Sequence, residues 1–179
     1  MDNLKNDTRD GCSRREFVTT GVAAAVGFTL GSQIPASAQS QTAEQPVFPY
    51  NPLTFAAMPT RNLGKTGYRV GIFSLGGQAT IEQPNKEEEA VAIVNRAIDL
   101  GVNYIDTAAA YGRPDQWSHQ YIGKVMKTRR KEVFLASKTH LRTYDESMRL
   151  LEISLKHLNT DHLDLWQVHN IKTTDELDK

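Results

Sequence analysis

The sequence predicts an α/β fold with a parallel sheet, and two observations support this prediction. From Gly71 onward, short apolar runs alternate with segments whose apolar residues recur at helical spacing. The apolar runs follow one another at intervals of about thirty residues, which is the length of a strand, a helix and their connections. Strands that alternate with helices in this way form βαβ units, whose strands run parallel.

Two segments of different composition precede this alternation. Residues 1–38 contain Arg14-Arg15, an apolar run over 17–30 and the small residues Ala36-Ser37-Ala38, which together predict a cleaved secretory signal peptide. Paired arginines ahead of a weakly apolar run resemble the twin-arginine type, so the twin-arginine export machinery is an expected partner. Residues 39–59 are rich in Gln, Ser and Pro, which is typical of a linker or of an arm along the surface.

The strands of the alternating part are predicted from apolar runs. Two extended pieces around Gly64 and Gly67 first predict a small β-hairpin over residues 61–70. The runs that follow have the length and apolar character of buried strands. They comprise Ile72–Leu75, Asn103–Asp106, Val133–Lys138 and Leu163–His169.

Three amphipathic segments predict the helices between these strands. Asn85 is the predicted N-cap of the first helix, with Glu88 as its capping-box partner, and Gly101 ends that helix. The second helix is predicted over residues 118–127. Thr143 and Glu146 predict a capping box at the start of the third. The apolar faces of the first and third helices comprise Ala90, Ile93, Val94, Ala97 and Ile98, and Met148, Leu151, Leu155 and Leu158.

Composition and charge exclude several kinds of function. The chain has 179 residues with 21 basic and 21 acidic side chains, so it lacks the basic excess with which proteins neutralise phosphates, and no nucleic-acid partner is expected. The single cysteine, Cys12, lies in the predicted signal peptide, so we expect no disulfide and no thiolate metal site in the exported part. The apolar run of the signal is shorter than the ~20 residues that span a bilayer, so no stable membrane anchor is expected.

Polar side chains end three of the predicted strands. Asp106, Lys138 and His169 lie one βα unit apart, each at the end of an apolar run. Right-handed crossovers place successive parallel strands side by side, so these three side chains should emerge at the carboxyl edge of the sheet, where α/β barrels carry their catalytic groups. Tyr111 lies in the loop after Asp106, from which its ring can reach over the strand ends.

These four side chains predict a site for a carbonyl group. A phenol has a pKa near 10, and we expect the Lys138 ammonium, held in place by Asp106, to lower the pKa of Tyr111. His169 can donate a hydrogen bond to a carbonyl oxygen beside the tyrosine. The site has no electron source of its own, and so a hydride-carrying cofactor is its natural complement.

The stretch from Leu63 to Asn170 resembles the N-terminal half of the aldo-keto reductase family. The motif Asp106-Thr107-Ala-x-x-Tyr111-Gly112, followed by Lys138 and His169, matches that family's Asp-Tyr-Lys-His tetrad in order and at similar spacing. The resemblance implies the N-terminal half of a (β/α)8 TIM barrel, about four βα units over residues 60–179, and a reaction that reduces a small-molecule carbonyl or oxidises an alcohol with NADP or NAD. It also implies that Tyr111 donates the proton, tuned by Lys138 and Asp106, while His169 orients the carbonyl.

The resemblance further implies which residues meet the cofactor and the substrate. Gly76, Gly77 and Asp106 are expected on the nicotinamide side, and Trp117 and Asn170 at the substrate, with Trp117 as one wall of the mouth. The family's main phosphate- and adenine-binding loops lie in its second half, so the chain is interpreted as truncated after the fourth βα unit. Ser118-His119 stands where the family often has Ser-Glu, and we interpret this difference as variation on a helix surface.

Two other functions stay open on sequence alone. One is a metal-dependent barrel hydrolase that uses Asp106, Lys138, His140 and His169, although the first strand lacks the His-x-His that such sites commonly carry. The other is a non-catalytic half-barrel binding module, completed by a partner or by a second copy. In the oxidoreductase interpretation, the protein is periplasmic or extracellular after cleavage near Ala38. It must then carry its cofactor tightly bound, because nicotinamide pools are cytoplasmic.

Overall fold

The computed structural model describes residues 47–176, so the predicted signal peptide over 1–38 and the first part of the predicted linker lie outside the described residues. Helices and strands alternate over most of this range. The elements are α1 (Thr54–Ala57), β1 (Thr60–Asn62), β2 (Arg69–Gly71), β3 (Leu75–Gly76), α2 (Glu87–Asp99), β4 (Tyr104–Asp106), α3 (Trp117–Arg129), β5 (Phe134–Thr139), α4 (Tyr144–His157) and β6 (Leu165–Val168). Short 3₁₀ turns connect some of them, at Ala79–Glu82, Arg130–Glu132 and Thr174–Glu176.

Four of the strands form one parallel sheet in the order β3-β4-β5-β6. Each strand is therefore the neighbour of the next strand along the chain, and a helix lies between β4 and β5 and between β5 and β6 in sequence. The antiparallel hairpin β1–β2 precedes the sheet. This sequential order of parallel strands and helices is a partial α/β barrel, which confirms the predicted fold class.

The core lies where the helices cover the sheet. The apolar stripe of α2 is confirmed, since Ala90, Val94 and Ile98 are buried. They belong to one cluster with apolar residues of α3 and of the two central strands β4 and β5. The remaining buried members of that cluster are Ile81, Ile105, Tyr121, Ile122, Val125, Met126, Val133, Leu135 and Leu158.

The first strand differs from the sequence prediction. Ile72 and Phe73 were expected in a buried strand, yet they are 50% and 66% exposed, and β3 contains only Leu75–Gly76. The reason is local, because the Ile72 N–H donates a hydrogen bond to the Pro59 carbonyl and so continues the hairpin beyond β2. Ile72 and Phe73 are therefore exposed in the described part of the fold, although they are apolar.

Helix boundaries were predicted with mixed success. Thr143 is the N-cap of α4 as expected, with its hydroxyl accepting the Glu146 N–H at 3.4 Å, and Gly101 ends α2 with a φ of 87° that favours glycine. The predicted Asn85 cap is wrong, because α2 begins two residues later and Asn85 itself has a φ of 61°. Met148 is also more exposed than predicted, since α4 buries Leu150 and Ser154 instead, whereas the following Leu158 is buried as predicted.

The described part of the predicted linker lies against the end of α2. The Asn51 side chain donates to the Ile98 carbonyl at 2.8 Å, and the Thr54 hydroxyl donates to the Gly101 carbonyl at 2.8 Å. Both side chains are buried, so this stretch behaves as an arm along the surface rather than as a free spacer. Across residues 47–176, the helices lack the combination of length and apolar character needed to cross a bilayer.

Candidate active site

The centre of the candidate site is an ion pair between two neighbouring strands. Asp106 ends β4, and Lys138 lies near the end of β5, at the same edge of the sheet. The Lys138 ammonium donates to Asp106 Oδ2 at 2.7 Å and to the Thr107 carbonyl at 2.8 Å. The pair is partly buried, with 14% of the Lys138 side chain and 35% of the Asp106 side chain exposed. Asp106 thus holds the lysine while keeping one side open to solvent.

Tyr111 and His169 complete the group that the sequence predicted. The Lys138 ammonium lies over the Tyr111 ring, 5.5 Å from its centroid. The His169 ring meets the Tyr111 ring edge-on, with centroids 5.6 Å apart. His169 directly follows β6, the strand beside β5, so the sheet topology brings all four residues to the carboxyl edge. Strand order, rather than local sequence, is what brings them together.

The pKa of Tyr111 is raised, so the predicted lowering of this pKa is wrong. Burial is the main cause, and the negative charges of Asp106 and Glu82 act in the same direction. The Lys138 ammonium is paired with Asp106, the carboxylate whose negative charge helps to raise this pKa. The phenol is therefore protonated at neutral pH, which is the form that can donate a proton.

His169 is poised to be neutral. Burial lowers the pKa of His169, and the Lys138 ammonium and Arg142 lower it further, against an opposing effect of Asp106. A neutral imidazole carries one N–H, so it can donate a single hydrogen bond without adding a charge. Next to the site, burial and the charge of Arg113 lower the pKa of His140, whose buried Nδ1 has no hydrogen-bond partner in residues 47–176.

The two predicted cofactor glycines differ in their surroundings. A Cβ on Gly76 would meet nothing within 4 Å, so this glycine faces open space. A Cβ on Gly77 would lie 2.6 Å from Ser118 Oγ and 2.7 Å from Thr107 Oγ1. Gly77 is buried, and the close approach of these two side chains already accounts for the glycine there.

The two predicted substrate residues also differ. Trp117 is half-buried, stacks on Tyr121 with ring centroids 5.8 Å apart, and packs against the apolar core. It therefore contacts the core at the start of α3, and its place as one wall of the substrate mouth stays a prediction. Asn170 follows His169 directly, is exposed and has a φ of 58°. Its place at the substrate stays a prediction.

Sequence reasoning missed a set of buried polar residues behind the site. His119 was interpreted as variation on a helix surface, which is wrong, because it is fully buried and its two ring nitrogens face Gln116 and Ser137. The helical period would have found it, since Ser118 and His119 precede Ile122 and Met126 by four and seven residues on the buried side of α3.

A second missed residue is Arg142, which holds the loop ends beside the site. Its guanidinium donates to the carbonyls of His140 and His169 at 3.2 Å and 3.1 Å and pairs with Glu176 at 2.9 Å. These contacts tie the segment after β5 to the segment after β6. Nothing in the local sequence indicated this, because the partners are backbone carbonyls that only the fold brings near.

The residues proposed for a metal site are arranged differently from a ligand set. In residues 47–176, groups of three or more His, Cys, Asp or Glu side chains that could hold a metal ion do not occur. The carboxylate of Asp106 is paired with the Lys138 ammonium. The geometry therefore favours the carbonyl site over the metal-dependent hydrolase.

A partial α/β barrel with Asp, Tyr, Lys and His at its carboxyl edge defines a class of oxidoreductase, and comparison with known proteins agrees. Residues 69–179 match the sequence model of the aldo/keto reductase family. The chain is 31% identical over 134 residues to the uncharacterised oxidoreductase YqkF of Bacillus subtilis, covering 68% of this chain and 42% of YqkF. It is 30% identical to the aldo-keto reductase yakc [NADP(+)] of Schizosaccharomyces pombe, covering 69% of this chain and 40% of that protein.

Solved structures give the same result. The holo form of aldo-keto reductase AKR11C1 from Bacillus halodurans matches with a TM-score of 0.57 and 28% identity, covering 68% of this chain and 43% of that one. An aldo-keto reductase from Klebsiella pneumoniae in complex with NADPH matches with a TM-score of 0.53 and 29% identity, covering 60% and 38%. The chain belongs to the aldo/keto reductase family. It spans about two fifths of the length of the curated relatives it matches.

Proposed function

We propose that this chain supplies the catalytic half of an oxidoreductase that reduces a small carbonyl compound, or oxidises the matching alcohol, with NADP(H). The observation that carries the proposal is the cluster of Tyr111, Lys138, Asp106 and His169 at one sheet edge, held by a 2.7 Å ion pair. This cluster offers an acid and a separate hydrogen-bond donor, which are the two groups that a carbonyl oxygen needs during reduction.

Each side chain has a distinct part in this proposal. Tyr111 is protonated at neutral pH, since the ordinary phenol pKa near 10 is raised further by burial, and it donates its hydroxyl proton to the carbonyl oxygen as negative charge develops there. The Lys138 ammonium, fixed by Asp106, stabilises the phenolate that this transfer leaves behind. Neutral His169 donates an N–H to the same oxygen and so orients the substrate beside the Tyr111 ring.

The described residues fit the nicotinamide end of the cofactor. Gly76 faces open space at the end of β3, and the Asp106 carboxylate keeps an exposed side although it is paired. When bound, NADP(H) supplies the hydride that the protein side chains cannot supply. Two matched proteins point to this cofactor, since one has NADP(+) in its name and the other was solved with NADPH.

The replacement Tyr111→Phe tests the proposal most directly. Removing the phenol hydroxyl removes the acid, so we expect turnover of aldehydes with NADPH to fall by about 10²- to 10⁴-fold. NADPH binding, measured by fluorescence titration, should persist because the ring remains.

Tyr104→Phe is the matched control for this replacement. Tyr104 is a half-buried phenol on β4 whose pKa burial also raises, and its ring stacks on that of Phe134. That variant should keep the turnover of the unmodified chain. The proposal is wrong if Tyr111→Phe turns over aldehydes as fast as Tyr104→Phe, or if the unmodified chain neither binds nor consumes NADPH.

We also propose that residues 1–38 direct export of the protein by a twin-arginine pathway. The support is the sequence alone, namely Arg14-Arg15, the apolar run over 17–30 and Ala36-Ser37-Ala38. Replacing both Arg14 and Arg15 by Lys should keep the full-length chain inside the cell. N-terminal sequencing of the exported form should start at Gln39, and a start at Met1 outside the cell would contradict cleavage.

A further inference from the structure

The layer between α3 and the sheet is polar at its end nearest the ion pair. Thr107, Ser118, His119 and Ser137 are all fully buried. They form two hydrogen bonds between α3 and the strand segments, one between the hydroxyl oxygens of Ser118 and Thr107 at 2.8 Å and one between Ser137 Oγ and His119 Nε2 at 2.9 Å. Polar side chains in such a layer are uncommon, because apolar ones would fill the same space without needing partners.

Each of these two hydrogen bonds involves a residue that is next in sequence to a member of the Asp106–Lys138 ion pair. Thr107 follows Asp106 at the end of β4, and Ser137 precedes Lys138 within β5. Successive side chains of a strand point to opposite faces, so Ser137 faces α3 while Lys138 faces the site. The Thr107 carbonyl also accepts from the Lys138 ammonium at 2.8 Å. The helix therefore contacts both strands directly behind the ion pair.

One amide side chain lies within hydrogen-bond distance of two histidine rings in this group. The side-chain oxygen of Gln116 lies 3.1 Å from Nδ1 of His119 and 3.0 Å from Nδ1 of His157. With the amide in this orientation its oxygen accepts from Nδ1 of His119, which leaves Nε2 to accept from the Ser137 hydroxyl. Burial lowers the pKa of His119 to about 3, so this arrangement does not change near neutral pH.

Close packing leaves these groups little freedom. Gly77 lies against Ser118 and Thr107 so closely that even a Cβ would overlap both hydroxyls. Hydrogen bonds depend on direction as well as distance, and a fully satisfied buried network selects one arrangement of its members. An apolar layer would tolerate small sliding of α3 along the sheet, whereas these two bonds do not.

We propose that Ser118 and His119 are positioning residues, which hold β4 and β5 so that the Lys138 ammonium stays on Asp106 and over the Tyr111 ring. Their own hydrogen-bond partners are Thr107, Gln116 and Ser137, and not the residues of the ion pair. They act through Thr107 and Ser137, the residues on either side of the pair. The inference deepens the function proposed above and rests on it for its catalytic consequence, while its structural consequence is measurable without turnover.

The test uses two small deletions of hydroxyl groups, one on each strand. Thr107→Val keeps the shape of the side chain and removes the bond to Ser118. Ser137→Ala removes the bond to His119. In both variants we expect kcat to fall by about 10- to 100-fold with little change in KM, because the proton donor is misplaced while substrate binding remains.

A second readout follows the site without any reaction. The Lys138 ammonium helps to lower the pKa of His169, together with Arg142 and against Asp106. If the ammonium is less well held, the His169 titration followed by NMR should move upward by about 0.5 pH unit in both variants. A purely structural role would lower stability and leave this titration where it is.

Three variants serve as controls. Thr107→Ser keeps the hydroxyl and should restore both kcat and the His169 titration. Thr54→Val and Ser154→Ala each remove a buried hydroxyl that donates at 2.8 Å to a backbone carbonyl, of Gly101 and of Leu150, away from the site. Both should destabilise the chain by a similar amount without moving the His169 titration.

The outcomes separate this inference from the proposed function. The inference is overturned if Ser137→Ala, or Thr107→Val where it folds, leaves the His169 titration where the Ser154→Ala protein has it. If the titration moves but the unmodified chain shows no carbonyl reduction, the positioning role stands and the proposed function fails. If Thr107→Val does not fold, Ser137→Ala on the other strand decides the question alone.

Discussion

The two ends of α3 pack on the sheet through different interactions, hydrogen bonds at the first turn and apolar contacts farther along. At the first turn, Ser118 and His119 are hydrogen-bonded to strand residues beside the ion pair. One and two turns later, Ile122, Val125 and Met126 belong to the apolar cluster and use no directional contact. The polar end lies at the carboxyl edge of the sheet with the candidate site, and the apolar end lies farther along the helix.

Apolar contacts and hydrogen bonds contribute differently here, the first mainly to the stability of the fold and the second mainly to the orientation of the site residues. Apolar burial is non-directional and contributes about 25 cal/mol per Å², so the second part of α3 supplies most of the free energy that holds helix to sheet. A hydrogen bond contributes a net of only about 0.5–1.5 kcal/mol, but it fixes the direction of its partners. Hydrogen bonds are therefore the contacts that can keep the Lys138 ammonium at a fixed distance from the Asp106 carboxylate.

The largest expected effect is on stability and comes from the apolar end. Met126→Ala removes most of a buried side chain and leaves a cavity in the core, so the free energy of unfolding should decrease by about 2–5 kcal/mol. Urea unfolding measures this decrease. The His169 titration of the folded protein should not move, because the contacts behind the ion pair remain.

Met148→Ala is the matched control for that variant. Met148 lies on α4 and is 37% exposed, so its truncation should cost much less than that of Met126. Equal losses in the two variants, or a displaced His169 titration in Met126→Ala, would show that the apolar end also sets the geometry of the site.

An intermediate effect is expected where the backbone approaches the polar end. Gly77→Ala places a Cβ within 2.6–2.8 Å of Ser118 and Thr107, so the hydrogen bond between them must be displaced. We expect a loss of about 1–3 kcal/mol together with a displaced His169 titration. Gly76→Ala, whose Cβ would meet nothing within 4 Å, is the control one residue away. If both variants behave alike, the packing of Gly77 on this pair is not what requires glycine.

The smallest expected effect is a pH dependence of stability from the polar end. His119 titrates near 6.5 when unfolded, and burial lowers its pKa to about 3 when folded. Above the unfolded value, both states are neutral and stability does not depend on this residue. As the pH decreases from 6.5 towards 3, the unfolded state binds a proton that the folded state does not, so stability falls by up to about 1.4 kcal/mol per pH unit.

Urea unfolding at about pH 7 and about pH 5.5 measures this loss, which should be about 1 kcal/mol for His119 alone. His119→Gln keeps an acceptor for Ser137 and does not titrate, so it should remove that part of the pH dependence. His162→Gln, a change at an exposed histidine, should leave it unchanged. An unchanged slope in the His119 variant would mean that this imidazole is accessible to protons in the folded state.

Much of the fold could be predicted because its signals are local. Ala90, Val94 and Ile98 recur at helical spacing, and that spacing alone predicts that they are buried. Thr143 predicts the start of a helix through a contact with Glu146, only three residues away in the sequence. The errors have local causes too. Ile72 and Phe73 are apolar, yet they extend the hairpin, because the partner of the Ile72 N–H is Pro59 and not the sheet.

The candidate site divides in the same way. Asp106, Lys138 and His169 were predicted together because each ends a strand and parallel order brings strand ends to one edge. The direction of the pKa shift of Tyr111 was predicted wrongly, because it depends on burial and on the negative charges of Asp106 and of Glu82, which the chain brings near from another loop. Arg142 was missed because its partners are carbonyl groups, and every residue type carries those.

The sequence by itself determined the alternation of strands and helices, the identity of the four polar residues and the edge of the sheet where they meet, because these follow from periodicity and chain order. Only the tertiary structure decided that burial lowers the pKa of His119, and that Ser118 and His119 are hydrogen-bonded to the residues behind the ion pair. The reason is physical. Burial and hydrogen bonding depend on which segments lie close in space, and the partners of α3 come from strands on both sides of it in the sequence.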